Sequence, residues 1–176
     1  LALAGVATGA SRGYLYLIED MHGPRASAER ALQEASDAGL LPFPITIHLG
    51  PTTYVAGEET AALAAIEGQP AKPRKKPPFP GEAGLFGKPT TINNTETLAH
   101  VAWIARHGGA AFAAIGTAES KGTLLFTLPG GADGVRRPGV YERPFGTTWR
   151  QLLDECGGGL VEGRTLRALL PAMSSA

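Results

Sequence analysis

Apolar residues in the first third of the chain fall into short runs typical of strands and spaced patterns typical of helices. Residues Gly13–Ile18 are rich in aromatic and branched side chains and predict a buried strand. Helical spacing predicts a helix from Ser27 to Gly39, after a loop over residues 20–25. Residues 45–49 alternate like a second strand. Strand, helix and strand in this order predict a βαβ unit and therefore an α/β fold.

The middle of the chain predicts two further helices on either side of an irregular, Pro-rich segment. The first is the alanine-rich stretch 61–66, and the second runs from residue 96 to residue 107 with Asn94 or Thr95 as its cap. The Pro-rich segment, residues 69–89, is longer than an ordinary connection. Loops of that length are usually functional or disordered.

A shift in composition near Ser120 predicts a second domain. Strands are expected at residues 123–128, 140–142 and 166–170, with a helix over 149–156 that Thr148 caps. This order is typical of a small α+β unit of the β-grasp type. The expected organisation is therefore a partial α/β domain over residues 1–119 and a β-grasp domain over residues 120–176.

The charge balance and the lack of a long apolar run exclude several classes of protein. The 176 residues contain 16 basic and 16 acidic side chains, so the chain lacks the basic footprint of a nucleic-acid binder. No run approaches the ~20 apolar residues of a membrane span. We therefore expect neither a nucleic-acid partner nor a direct membrane span. The chain begins at Leu1 without a recognisable start signal, and we interpret it as an internal fragment of a longer protein.

The cysteine and histidine content argues against a metal site in these residues. The one cysteine, Cys156, cannot form an internal disulfide, a four-cysteine zinc site or an iron–sulfur cluster. The four histidines show no metal-ligand spacing. Low cysteine usage favours a reducing compartment such as the cytoplasm.

The first candidate site is Gly57-Glu58-Glu59 at the start of a predicted helix. Acidic residues in a first turn favour the helix dipole by ~0.3–1 kcal/mol, and on local chemistry alone this structural interpretation is the stronger one. The functional alternative is a ligand wall, in which glycine lets the backbone approach a ligand and the carboxylates face its hydroxyl groups or a ring edge.

Three further features each allow a structural and a functional interpretation. The polar turn at residues 90–95 offers free amides for an anion, or is an ordinary helix cap. Phe79, held between two prolines, could stack on a nucleobase or fill a hydrophobic gap. The basic run at residues 72–76 could steer a phosphate-bearing ligand, or form a solvated face.

The order of these motifs along the chain is more specific than any one of them. The sequence closely resembles the NADH-binding flavoprotein subunit of respiratory complex I, whose core also occurs in NAD-linked formate dehydrogenases and in the diaphorase subunits of NAD-reducing hydrogenases. The blocks that carry the resemblance read YVAGEET from Tyr54, KPPFP from Lys76, GLFGKPTTINN from Gly84, SKG from Ser120 and RPGVYE from Arg137.

The resemblance implies an FMN-binding α/β domain followed by a soluble-ligand-binding β-grasp domain, with FMN and NADH as cofactor and substrate. It implies that Phe79 lies against the adenine of NADH. It further implies a pocket for the flavin and the nicotinamide lined by Tyr54, Gly57, Glu58 and Glu59, and contacts to FMN from Ile92, Asn93, Asn94 and Thr95. Hydride transfer is cofactor chemistry, so no catalytic acid or base is assigned, and Glu59 contributes electrostatics only.

The same resemblance implies the partners. A thioredoxin-like [2Fe-2S] subunit and a large iron–sulfur subunit would receive the electrons. A [4Fe-4S] cluster is expected in the full-length parent but not in this chain. The location would be peripheral, on the cytoplasmic side of a membrane complex. The alternatives are a diaphorase subunit of a formate dehydrogenase or hydrogenase, and a diverged, non-catalytic assembly module.

The sequence departs from the family pattern at several points. The family's glycine-rich FMN loop and its C-terminal cysteine cluster are absent from these 176 residues. Ala56 stands where the family commonly has Cys, and Thr95 where it commonly has Val. Residues 171–173 read Pro-Ala-Met in place of the usual Pro-Gly-Gly, and a methionine is less suited than glycine to a backbone of positive φ. These differences are compatible with a diverged paralogue.

Overall fold

The computed structural model describes residues 1–132 and 134–169. The chain divides into two compact units, Leu1–Ala102 and Trp103–Ala176, and each is described by itself. The expected domain boundary near Ser120 stays a prediction. Within the described residues, no helix combines the length and the apolar character that crossing a bilayer requires.

The first unit is built on a parallel βαβ arrangement. Its elements are α1 (Ala2–Thr8), β1 (Gly13–Ile18), α2 (His22–Asp37), β2 (Ile45–Gly50), α3 (Glu59–Ile66), α4 (Pro80–Ala83) and the beginning of α5 (Thr95–His107), with 3-10 turns at Tyr54–Gly57 and Leu85–Gly87. Strands β1 and β2 pair in parallel, from Gly13 opposite Ile45 to Ile18 opposite Gly50. The predicted βαβ unit and the α/β class of this part of the chain are confirmed.

Helix α2 begins at His22, five residues before the predicted start at Ser27. The prediction of a loop over residues 20–25 is therefore wrong for residues 22–25. Gly23 and Pro24 suggested a turn, but they occupy the first helical turn. Backbone amides there have no acceptor within the helix, so the missing amide hydrogen of proline costs no hydrogen bond. The predicted end is confirmed, because Gly39 has a φ of 66° and its amide donates to the carbonyl of Ser36 at 2.9 Å.

Helix α1, which the sequence pattern did not predict, packs closely on the loop before β2. Gly5 is buried, and a Cβ atom added to it would lie 2.1 Å from Cζ of Phe43. The close approach of the Phe43 ring to the helix backbone therefore requires glycine at position 5. Helix α1 ends at Gly9, which has a left-handed φ of 70°.

The second unit contains an antiparallel hairpin and a capped helix. Its elements are the end of α5, α6 (Gly109–Ala113), β3 (Thr123–Leu128), β4 (Gly139–Pro144), α7 (Trp149–Gln151) and a π-helical turn (Leu152–Cys156). Thr148 caps α7 as predicted, since its hydroxyl accepts from the amide of Gln151. The core consists of Leu128, Val135, Leu152 and Cys156, so the lone thiol is a packing residue.

The last strand predicted for this unit does not form in the part of the segment that the structure describes. Residues 166–169 have no strand conformation, and Leu170 lies outside the described residues. A strand needs a hydrogen-bonded neighbour, and the apolar pattern that suggested one cannot supply it. The expected β-grasp topology therefore stays a prediction. The Pro-Ala-Met segment at residues 171–173 also lies outside the described residues.

The close packing at Gly5 gives a test of the first unit. Gly5→Ala should lower the free energy of unfolding by about 1–3 kcal/mol, because the added methyl group overlaps the Phe43 ring. Gly23→Ala is the matched control in α2, where an added Cβ meets no described atom within 4 Å, and should be neutral or stabilising by up to about 1 kcal/mol. Chemical denaturation of the 176-residue chain measures both. A Gly5→Ala chain that is as stable as the Gly23→Ala chain would contradict the packing described.

Candidate functional site

The Gly-Glu-Glu motif lies at the start of α3, and its first carboxylate is the helix cap. Oε2 of Glu58 accepts hydrogen bonds from the amides of Thr60 at 2.8 Å and Ala61 at 2.9 Å. The Thr60 hydroxyl donates to the same oxygen at 2.5 Å. The cap is thus Glu58 and not Gly57. Three donors hold Oε2 towards the helix and leave Oε1 of Glu58 directed away from them.

Both carboxylates of the motif pair with one lysine from the Pro-rich segment. Nζ of Lys76 donates to Oε1 of Glu58 at 3.3 Å and also to Oε1 of Glu59. We refer to Glu58, Glu59 and Lys76 as the carboxylate–lysine cluster. The cluster is half-buried and carries two negative charges against one positive charge. It can therefore present both hydrogen-bond acceptors and a cation to a polar ligand.

The hydrogen bonds in the cluster favour the charged forms of Glu58 and Lys76. Partial burial raises the pKa of Glu58, but the bonds from the Thr60 hydroxyl, the Ala61 amide and Lys76 together outweigh burial and hold that pKa below its usual range. The hydrogen bond to Glu59 raises the pKa of Lys76, with a smaller contribution from Glu58, against the opposing effect of burial. Glu58 is ionised at neutral pH, so it is not suited to act as a general acid.

The turn before α3 leaves its backbone open on one side. Ala56 is completely buried, so the residue that replaces the family's common cysteine fills the interior. A Cβ atom added to Gly57 would meet no described atom within 4 Å, and the φ of Gly57 is not positive. Packing within the described residues therefore does not explain glycine here. Tyr54 is 84% exposed at the start of the same turn.

A second polar cluster holds the Pro-rich segment against the end of α3. Glu67 forms an ion pair with Arg74, and its Oε1 accepts from the amide of Phe86 at 2.7 Å. The hydrogen bond from Arg74 lowers the pKa of Glu67, with help from the Phe86 amide and against the effect of burial. The hydrogen bond to Glu67 fixes the backbone at Phe86, a residue with a left-handed φ of 52°.

A cleft of about 530 Å³ lies beside this second cluster. Thr60, Arg74 and Phe86 contribute to its lining. Pro78 and Pro80 also line the cleft. None of the nine predicted site residues lines it, and the structure describes all nine. Phe79, between these two prolines, is 56% exposed. The cleft is therefore a different surface from the predicted flavin pocket.

The polar turn at residues 90–95 closes the Pro-rich segment and then starts α5. The amide of Thr90 donates to the carbonyl of Pro80 at 2.8 Å. Oδ1 of Asn94 accepts from the amide of Glu96 at 2.9 Å, so Asn94 is the one of the two predicted caps that is confirmed. Ile92, Asn93 and Thr95 are exposed, as is Asn94. In the described part of the chain, the amides of Asn93 and Asn94 donate no hydrogen bond.

The structure thus brings some of the predicted residues together and leaves others apart. Glu58 and Glu59 share one cluster, directly after Gly57 and the turn that Tyr54 begins. Within residues 1–132 and 134–169, no hydrogen bond or ion pair joins that cluster to Phe79 or to residues 92–95. Sequence reasoning missed Thr60, and it assigned Lys76 only to the basic run at residues 72–76, without its pairing to the two carboxylates. The available signal for this pairing was the two adjacent carboxylates, because their negative charges favour a nearby cation.

The residues present fit a flat, polar cofactor such as FMN. The open backbone at Gly57 allows close approach of a ring, as a glycine without a packing role does at ligand sites. The carboxylate–lysine cluster supplies acceptors and a donor, and the free amides of Asn93 and Asn94 suit an anionic group. No set of three histidine, cysteine, aspartate or glutamate side chains among the described residues is arranged to hold a metal ion.

Comparison with known proteins identifies the family. A family model described as the Nuo51 FMN-binding domain matches residues 1–103. The chain belongs to this family. A subunit of an NADH-quinone oxidoreductase from Rhizobium meliloti (strain 1021) is 42% identical over 100% of this chain and 43% of its own length. The corresponding subunit of the NADH-quinone oxidoreductase of Escherichia coli (strain K12) is 37% identical over 97% of this chain and 40% of its own length.

A eukaryotic relative and two solved structures agree with this assignment. "NADH dehydrogenase [ubiquinone] flavoprotein 1, mitochondrial" of Dictyostelium discoideum is 39% identical over 98% of this chain and 38% of its own length. A chain of an "NAD+-reducing [NiFe]-hydrogenase in the air-oxidized state" matches with a TM-score of 0.79 and 38% identity, over 86% of this chain and 26% of its own. The H2-reduced state of such a hydrogenase matches with a TM-score of 0.76 and 40% identity, over 83% of this chain and 25% of its own. The Nuo51-family chain described here spans about two fifths of the length of the curated relatives.

The capping role of Glu58 predicts a pH-dependent contribution to stability. Glu58→Gln should lower the free energy of unfolding at pH 7 by about 0.5–2 kcal/mol, the usual value of a helix cap. The folded-state pKa is lowered, so the wild-type advantage is present above the unfolded value of 4.5 and is lost as pH falls through the folded value. Denaturation of the wild-type and variant chains between pH 7 and pH 3 measures this.

The matched control for this prediction is Glu34→Gln, a change at an exposed glutamate of α2 whose ion pair with Arg30 is long, at 3.9 Å. This control should change the free energy of unfolding by less than about 0.5 kcal/mol at any pH. A Glu58→Gln effect as small as that of the control, or one that grows as pH falls, would contradict the capping geometry.

Proposed function

We propose that the chain is part of an NADH-oxidising flavoprotein subunit of a respiratory NADH:quinone oxidoreductase. The observation that carries this proposal is the identity of 37–42% across at least 97% of the chain to subunits of two bacterial NADH-quinone oxidoreductases. The fit of the Gly57 backbone and the carboxylate–lysine cluster to a flat polar cofactor supports it from the structure.

In this proposal, bound FMN would accept a hydride from NADH and release single electrons to iron–sulfur centres. The protein's own residues orient the two molecules and set the local charge. Tyr54, Gly57, Glu58 and Glu59 line the flavin and nicotinamide pocket. The carboxylates accept hydrogen bonds from ligand donors, and Lys76 offsets part of their negative charge. No side chain has to gain or lose a proton during the transfer.

The other predicted residues bind the outlying parts of the two molecules. Phe79, exposed on its proline-bounded loop, stacks against the adenine of NADH. Residues 92–95 contact FMN, and the free amides of Asn93 and Asn94 are suited to its phosphate because unsatisfied amides before a helix favour anions. These assignments rest on the motif match together with exposure of the residues concerned.

The remainder of the proposal concerns organisation and partners. The FMN-binding α/β part corresponds to residues 1–119, and a β-grasp domain corresponds to residues 120–176. The β3–β4 hairpin and the capped helix α7 support the β-grasp assignment. A thioredoxin-like [2Fe-2S] subunit and a large iron–sulfur subunit receive the electrons. A [4Fe-4S] cluster belongs to the full-length parent. The assembly lies on the cytoplasmic side of its membrane.

A second candidate is the diaphorase subunit of an NAD-linked hydrogenase or formate dehydrogenase. The similarity to chains of NAD+-reducing [NiFe]-hydrogenase structures, with TM-scores of 0.76 and 0.79, favours it specifically. Both candidates share the NADH and FMN chemistry and differ in the partners that take or supply electrons. The proteins that co-purify with the native gene product separate the two candidates.

The test of the proposed function is the cofactor content and activity of the gene product purified from its own cells. The proposal predicts bound FMN, NADH-dependent reduction of ferricyanide and co-purification with iron–sulfur subunits. A flavin-free protein that does not oxidise NADH yet remains in a complex would contradict it, and would favour the non-catalytic assembly module instead.

Replacing Glu59 should change the cofactor chemistry and leave folding nearly intact. Glu59→Gln keeps the shape and most of the hydrogen-bonding capacity but removes one charge from the cluster. Because negative charge disfavours additional electron density on a nearby flavin, the flavin midpoint potential should rise or the KM for NADH should change. NADH:ferricyanide kinetics, redox titration and thermal denaturation of the native gene product measure these effects.

The competing interpretation of Glu59 is a helix-dipole residue without contact to ligands. It predicts unchanged kinetics and potential, with a stability loss of a few tenths to about 1 kcal/mol. Glu34→Gln, at an exposed position of α2, is a control carboxylate outside the carboxylate–lysine cluster. Its kinetics should match those of the wild-type protein.

A further inference from the structure

One buried hydroxyl joins the two chain segments that form the carboxylate–lysine cluster. Thr60, in the first turn of α3, is 3% exposed. Its Oγ1 donates to Oε2 of Glu58 at 2.5 Å and accepts from the amide of Arg74 at 2.7 Å. The hydroxyl therefore uses its hydrogen in one bond and a lone pair in the other, with one partner at the start of α3 and the other in the Pro-rich segment.

The position of Arg74 in the chain makes this bond significant for the cluster. Lys76 follows Arg74 by two residues, so the backbone that Thr60 holds is the backbone that delivers the lysine. At the other end of the link, Thr60 is one of the donors that fix Oε2 of Glu58. With Oε2 fixed, Oε1 of Glu58 is the oxygen that meets Nζ of Lys76, at 3.3 Å.

We propose that Thr60 is a positioning residue, whose hydroxyl sets the distance between the carboxylates at the start of α3 and the lysine that neutralises part of their charge. This inference rests on the proposed function for its consequence in redox chemistry, but not for its geometry. Thr60 touches neither FMN nor NADH in this account. It acts through Glu58 on one side and through the backbone of residues 74–76 on the other.

Removal of the hydroxyl has a defined consequence. In Thr60→Val the side-chain shape is retained, but the half-buried amide of Arg74 loses its acceptor and Glu58 loses one donor. The segment that carries Lys76 then loses one of its attachments to α3, and the lysine is held less closely to the carboxylates. The two carboxylates remain, so the site becomes more negative. A more negative site disfavours reduction of the flavin and opposes binding of the phosphates of NADH.

The first experiment tests the geometry without any cofactor. Unfolding of the chain is measured for Thr60→Val, for Lys76→Met and for the double variant. If the hydroxyl positions the lysine, the two changes are coupled, and the double variant loses less stability than the sum of the single losses. Additive losses would overturn the proposal, whatever the protein is found to catalyse.

The second experiment tests the consequence in the flavin-loaded native gene product. Thr60→Val should shift the flavin midpoint potential to a more negative value and raise the KM for NADH by about two- to tenfold, as expected for loss of one net hydrogen bond. Thr60→Ser, which retains the hydroxyl, should restore both towards the wild-type values. Leu63→Val, one turn further along α3, is the control for a general loss of packing in this helix.

The outcomes separate the inference from the function on which it rests. A Thr60→Val protein that loses stability like Leu63→Val but keeps the wild-type potential and KM would overturn the positioning role. A wild-type protein that binds no flavin and oxidises no NADH would overturn the proposed function alone. In that case the coupling between Thr60 and Lys76 in the unfolding experiment still decides whether the hydroxyl positions the lysine.

Discussion

The contact between Lys76 and the two carboxylates at the start of α3 is the interaction on which the candidate site depends. The two adjacent glutamates, one of which caps a helix, carry negative charges that repel each other. Lys76 contacts an oxygen of each and joins the Pro-rich segment to the helix. Without this pairing, the segment that carries Phe79 would lack one of its attachments to the rest of the first unit.

The attachments of the Pro-rich segment follow one physical pattern. Proline has no amide hydrogen, so a proline-rich stretch cannot hold itself in place by regular backbone hydrogen bonds. Side chains take over this role: the Thr60 hydroxyl binds the amide of Arg74, Glu67 binds the Arg74 guanidinium and the amide of Phe86, and Thr90 binds the amide of Leu85 at 2.9 Å. The segment is irregular yet fixed at several points, as a ligand-binding loop requires.

Local patterns predicted the βαβ unit and, as one of two alternatives, the cap at Asn94, because strand periodicity, glycine stops and capping residues act over a few positions. They failed where a partner decides the outcome. The strand expected at residues 166–170 needs a neighbouring strand that the pattern cannot provide. The pairing of Lys76 with the carboxylates and that of Thr60 with Arg74 were missed because these contacts join residues 14 to 18 positions apart. Membership of the family supplied the order of motifs but not these pairings.

Side chains of α3 hold the Pro-rich segment in place, and amide hydrogen exchange of the 176-residue chain tests this attachment most directly. The amide of Arg74 donates to the buried hydroxyl of Thr60, so it should exchange at least about tenfold more slowly than an unstructured amide, and at a rate set by opening of this contact. The amide of Phe86, bound to Glu67, should be protected in the same way. Exchange of both amides at the rate of an unstructured peptide would contradict the account.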